Sequence, residues 1–214
     1  MTAAPFVPPG VTDLDQLREA SKACHGCELY RNASQTVFGA GSPDARVVLV
    51  GEQPGDIEDR RGAPFVGPAG KVLDRAIAEA GLDRSQMYVT NAVKHFKFKQ
   101  SGPGKRRIHQ TPDRLEIVAC RPWLVAEFAL LKPEVIVALG ATAAKALLGP
   151  DFRVTRSRGV LMPWPDSADD PADFPKDPAS ILATIHPSAV LRADNRDEAF
   201  DGLVADLAVV AGAL

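Results

Sequence analysis

The chain has 214 residues, of which 45% are hydrophobic and 24% charged, and its formal net charge is −2. It holds no apolar run long enough to span a bilayer, and its first residues, MTAAPFVPPG, lack the basic and apolar regions of a signal peptide. These features point to a single globular domain over residues 1–214, cytoplasmic and with no membrane partner, and they exclude nucleic-acid binding by bulk positive charge.

Residues 12–22, TDLDQLREASK, read as a short helix capped by Thr12 or Asp13. The segment CHGCELY follows. Residues 46–51, RVVLVG, form an apolar run ending in glycine, the signature of a buried strand. Val72, Leu73, Ile77 and Ala80 give residues 69–80 a helical period, and MYVTNAV at 87–93 reads as a second strand. A basic segment comes next. Residues 113–131 form a long helix stopped before Pro133. EVIVAL at 134–139 is a third strand, with a helix behind it in GATAAKALLG. ILATI at 181–185 is a fourth strand, and 197–212 a closing helix. Residues 162–179 are proline-rich and acidic, a surface loop whose charge argues against DNA contact there. Strands alternating with helices indicate an α/β fold, a three-layer α/β/α sandwich around a largely parallel four-stranded sheet. Such folds place ligands at the C-terminal ends of the strands.

The first strand ends in GEQPG, where Gly51, Pro54 and Gly55 turn the chain and hold Glu52 and Gln53 at the crevice. The second ends at Asn91, and the fourth in His186-Pro187-Ser188. Each has an ordinary reading alone, as a capping acid, a turn former and a buried histidine. A carboxylate, an amide and an imidazole at three strand ends point to a site. GPAGKV at 67–72 fails as a phosphate-binding P-loop, because Phe65 stands where the first glycine belongs and Val72 where serine or threonine belongs. Phe65 sits instead on a short loop, suited to stacking on a flat ligand such as a base, or to plugging the core.

From Lys94 to His109 there are six cations and no acid. That run is either a solvated loop or a phosphate-binding strip. Its end, GPGKRRIHQ at 102–110, delivers His109 among Lys105, Arg106 and Arg107. Cys24 and Cys27 have ligand-pair spacing, and Cys120 lies in the long helix. His95, directly after the second strand, is the preferred fourth ligand over His25, His109 and His186. Three thiolates and an imidazole suit zinc or an iron–sulfur cluster equally, and Cys120 also reads as a plain buried cysteine.

GEQPG, GAPFVGPAG, TNAVK, ACRPWL and HPS, in this order, resemble the family 4 uracil-DNA glycosylases over nearly the whole chain from about Cys24. The chain departs from the usual pattern in carrying His95 where a cysteine is expected, and in a basic insertion ending in KRRIH. Both departures, with Gln53 after the motif Glu52, resemble the UdgX-type sub-group. The resemblance implies a 4Fe-4S cluster on Cys24, Cys27, Cys120 and His95, and a basic R-loop over about 97–110. It implies a monomer acting on uracil-containing DNA, single strands preferred. Gly51, Gln53, Asp56, Phe65 and Asn91 would contact uracil, and Lys105, Arg106, Arg107 and Ser188 the DNA. His186 would donate to uracil O2 as negative charge develops. His109 would attack C1′ and stay attached, with Glu52 taking its other proton. Taken alone, a histidine beside Arg107 reads first as a phosphate ligand, with water attacking as in an ordinary turnover glycosylase. The KRRIH match assigns it the attack. A non-catalytic iron–sulfur nucleic-acid-binding module and a nuclease using Asp56, Glu58 and Asp59 rank below both.

Overall fold

The computed structural model describes residues 1–102, 104–164 and 180–214. Pro103 of the GPG turn and residues 165–179, most of the acidic stretch, lie outside the described residues.

Helix α1 (Leu14–Ser21) starts at Asp13, whose side chain accepts from the Gln16 N–H, so Asp13 and not Thr12 is the cap. Strand β1 (Ala40–Gly41) and strand β2 (Val47–Gly51) follow, then helices α2 (Asp56–Arg61) and α3 (Pro68–Glu79). Strand β3 (Met87–Asn91) leads into a two-stranded hairpin, β4 (Phe98–Lys99) and β5 (Ile108–His109). The long helix α4 (Arg114–Leu131) opens with a capping box between Asp113 and Glu116 and closes at Lys132, in the left-handed region at φ 47° before Pro133. Strand β6 (Val135–Leu139), helices α5 (Ala141–Leu148) and α6 (Val154–Ser157), strands β7 (Leu161–Pro163) and β8 (Ser180–Thr184), and helices α7 (Pro187–Arg192) and α8 (Arg196–Ala211) complete the order.

The main sheet runs β1-β3-β2-β6-β8-β7. Its four inner strands are parallel, and they are the four expected. The edges add two short antiparallel strands, so the sheet is six-stranded and mixed rather than four-stranded. Helices cover both faces. Val48, Val50, Ile136 and Ala138 pack towards Trp123, Phe128 and Leu147 on α4 and α5. Val47, Leu49 and Val137 pack towards Leu73 and Ile77 on α3 and Leu203 and Leu207 on α8. Burial on both faces is why these strands are continuous apolar runs without alternation. Each fully buried large side chain contributes about 1.5–3 kcal/mol.

One polar network crosses this core. Lys94 Nζ lies 2.6 Å from Glu127 Oε2, with both side chains at 0% exposure. The ammonium also donates to Thr90 Oγ1 and to the Asn91 carbonyl, at 2.6 and 2.9 Å. Tyr88 and Thr90 hydroxyls donate to Glu127 Oε1, each at 2.9 Å. Lys94 therefore leaves the expected phosphate-binding strip and belongs to the interior.

Candidate active site

The C-terminal ends of the parallel strands open onto a cleft of about 660 Å³, lined among others by Glu52, Phe65, Asn91, His109, Thr142 and His186. Its floor depends on Gly51. A Cβ there would stand 2.3 Å from Asn91 Oδ1 and 2.7 Å from Phe65 Cζ, so only glycine leaves room between amide and ring. Phe65 adopts φ 55°, rare for an aromatic residue. Gly70 packs beneath its carbonyl, where a Cβ would stand 1.7 Å from the oxygen. The Phe65 ring lies near-parallel to that of His186, at 29° with centroids 6.1 Å apart.

His186 is held in one tautomer. Its Nδ1 accepts from the Ser188 backbone N–H at 3.1 Å, so the ring proton sits on Nε2. Burial lowers its pKa to about 4, keeping the ring neutral at pH 7 with an N–H to donate.

His109 stands across the cleft. Its Nε2 lies 3.1 Å from Glu52 Oε1, with side-chain exposures of 50% and 18%. Thr142 Oγ1 donates to the other oxygen, Oε2. Burial works against the Glu52 carboxylate, but the neighbouring His109 imidazole and the Thr142 hydroxyl outweigh it and hold the pKa below its ordinary value. Glu52 is therefore an ionised acceptor with an imidazole on one oxygen and a hydroxyl on the other.

Gln53, Asp56 and Arg107 each find partners within the protein. The Gln53 side chain, 7% exposed, is spent on the hairpin. Its Nε2 donates to the carbonyls of Lys97 and Gln110, at 3.2 and 2.9 Å, and its Oε1 accepts from the Lys97 N–H at 2.8 Å. It clamps both strands at the hairpin base. Arg107 turns inward. Its Nη1 donates to Asp59 Oδ2 at 2.6 Å and its Nε to Asp56, and its guanidinium lies over the rings of Phe96 and Phe98. Asp56 and Arg107 thus engage each other in the free protein. Lys105 and Arg106 are exposed on the hairpin, outside the cleft lining. Ser188 lines the cleft and its Oγ lies 2.8 Å from His186 Nδ1, so it orients the histidine.

The matched family is the uracil-DNA glycosylase superfamily, whose profile covers residues 38–208. The chain belongs to that superfamily. Among its relatives, a type-4 uracil-DNA glycosylase of Thermotoga maritima is 36% identical over 84% of this chain and 83% of its own length. The type-4 uracil-DNA glycosylase of Sulfurisphaera tokodaii is 35% identical over 83% and 76%. A type-5 uracil-DNA glycosylase of Thermus thermophilus is 37% identical over 54% and 55%.

Beside this superfamily cleft, Cys24, Cys27 and Cys120 are buried in one core cluster at 5%, 8% and 3% exposure. The Trp123 indole N–H donates to Cys24 Sγ and the Lys94 backbone N–H to Cys120 Sγ, both at 3.2 Å. Burial raises the Cys27 thiol and pushes Cys120 up to about 12, and it lowers His95 to about 4. Among the described residues, no three His, Cys, Asp or Glu side chains are arranged to hold a metal ion. N–H donors aimed at buried sulfurs are the chemistry of cluster thiolates, and a neutral imidazole is a competent ligand.

Thr142 escapes sequence reading, and Glu58 enters it only as a nuclease carboxylate. Thr142 follows the third strand in Gly140-Ala141-Thr142, a strand end like the other three. Glu58 lines the cleft and accepts from the Gly67 N–H at 2.7 Å, bracing the Phe65 loop. No helix among the described residues is long and apolar enough to cross a membrane.

Proposed function

We propose that the protein excises uracil from DNA, single-stranded DNA preferred, and is then captured by its own product through a bond from His109 to C1′ of the sugar. The observation that carries this reading is the half-exposed His109 imidazole against an ionised Glu52, in the cleft that also holds Asn91, Phe65 and His186. Membership of the superfamily and similarity to type-4 enzymes support the substrate class. The KRRIH segment, His95 and Gln53 support the UdgX-type sub-group.

In this reading a flipped uracil stacks on Phe65 and is read on its polar edge by Asn91. The C1′–N1 bond breaks, and its electron pair leaves on uracil, whose O2 takes a hydrogen bond from His186 Nε2–H. Glu52 accepts the proton of one His109 nitrogen, and the other nitrogen forms the N–C1′ bond. Uracil leaves as the anion, held by the His186 hydrogen bond, and the imidazole proton stays on Glu52. Asn91 also refuses cytosine, whose reversed donors and acceptors would leave buried partners unpaired. Lys105 and Arg106, exposed on the hairpin, meet flanking phosphates. Cys24, Cys27, Cys120 and His95 would hold a 4Fe-4S cluster, which when bound cross-links the N-terminal segment, the stretch after β3 and α4. The chain works as one domain and a monomer, in the cytosol.

The test is a labelled single-stranded oligonucleotide carrying one uracil, mixed with the purified protein and run on a denaturing gel. A band that survives boiling in detergent, absent with thymine, is expected. Free DNA that breaks in alkali would replace capture by ordinary turnover, and unchanged DNA would remove both.

Gln53→Ala tests the clamp. Losing three hydrogen bonds at the hairpin base should lower the rate of covalent capture roughly tenfold while uracil release stays near wild type. If Gln53 instead binds uracil, release falls along with capture.

A further inference from the structure

We propose that Thr142 is a positioning residue that makes Glu52 serve His109, so that it decides between capture and release of the DNA. The inference rests on the capture reading above.

Each oxygen of the Glu52 carboxylate has its own neighbour. Glu52 Oε2 accepts from Thr142 Oγ1, and Oε1 faces His109 Nε2 at 3.1 Å. A hydroxyl has one proton, and Thr142 places it on Oε2. That bond fixes the plane of the carboxylate and presents the remaining oxygen to the imidazole. Without it the carboxylate can rotate about its last side-chain torsion, which is soft. Thr142 is itself fixed by the fold. It stands in the first turn of α5, directly beyond the parallel strand β6. Gly140, at φ 92°, makes the turn between them, and its N–H donates to the Thr184 carbonyl at 2.9 Å, beside the strand end that carries His186. One junction therefore sets both halves of the chemistry, His186 through Thr184 and Glu52 through Thr142.

The hydroxyl also supports the charge on Glu52. The groups whose charge bears on this carboxylate are His109 on the hairpin and His186 on the turn after β8. His186 is uncharged near neutral pH, so the carboxylate leans on its neighbours His109 and Thr142. Losing the Thr142 bond should raise the Glu52 pKa, so a higher pH is needed to ionise the proton acceptor.

Thr142→Val keeps the volume and removes the hydroxyl, and Thr142→Ser restores it. On the uracil oligonucleotide, Thr142→Val should lower the rate of covalent band formation roughly 10- to 100-fold, the scale of losing a partner that orients a reacting group. Uracil release should fall much less, so alkali-labile free DNA accumulates. The acid limb of the capture–pH profile should move to higher pH, and Thr142→Ser should return both to wild type. Equal losses of capture and release with an unmoved acid limb would mean a merely structural residue and overturn the inference. Thr142→Val capturing like wild type would overturn it while leaving the capture reading intact. A wild-type protein that forms no covalent band overturns both.

Discussion

His109→Ser should abolish the covalent DNA band while uracil continues to leave the oligonucleotide. The variant removes only the imidazole that faces Glu52. Asn91, Phe65 and His186 come from other elements and keep their places, so base reading and leaving-group stabilisation survive. Capture should fall at least about a hundredfold, the scale on which losing a positioned catalytic group is felt. The space left by the ring gives water access to C1′ beside Glu52, so free alkali-labile DNA should replace the adduct and turnover should appear. Stability should barely change, because the side chain is 50% exposed on a two-residue strand outside the main sheet. The denaturing gel and a uracil-release assay read the two outcomes separately. A His109→Ser protein that still crosslinks would assign the bond to another residue.

Glu127→Ala should be the most damaging single change to the core. It strands the Lys94 ammonium at 0% exposure, with the Thr90 hydroxyl and the Asn91 carbonyl as its remaining partners. An uncompensated buried charge costs about 3–5 kcal/mol, which in a chain of this size lowers the melting temperature by roughly 10 °C. Tyr88 and Thr90 lose their acceptor in the same step. Replacing both charges, as in Lys94→Met with Glu127→Leu, should recover most of the stability, since the Coulombic gain of a buried pair roughly offsets its desolvation. The double variant should still release uracil poorly, because Lys94 also holds the Asn91 carbonyl. A Glu127→Ala protein melting within about a degree of wild type would contradict this account of the network.

The long elements were legible because both faces of the sheet are covered. RVVLVG and EVIVAL are apolar throughout for that reason, and Asp113 with Glu116 announces the start of α4. The edge strands were not, since two or three residues show no period. Helix α2, DIEDRR, has almost no apolar stripe to reveal it. The strand-end rule brought Glu52, Asn91 and His186 into one cleft. It did not reveal what each side chain holds, because partner choice is tertiary. Arg107 finds Asp56 and Asp59 some fifty positions earlier, and Lys94 finds Glu127 thirty-three positions later. Within a run of cations, a buried lysine and a solvated one look alike. Gln53 reads as a base-binding amide until the backbone of the hairpin occupies it.

The hairpin that carries His109 is a separate two-stranded unit between β3 and α4, and none of its described residues pairs with the main sheet. It is fastened at its base by Gln53 and on its flank by Arg107. An appendage of this kind is modular in topology: its length can change without disturbing the register of a single sheet strand. On the proposed capture reading, the choice between an enzyme that recycles and one that is consumed by its substrate lies in this short hairpin and its fasteners, and the scaffold beneath serves either outcome.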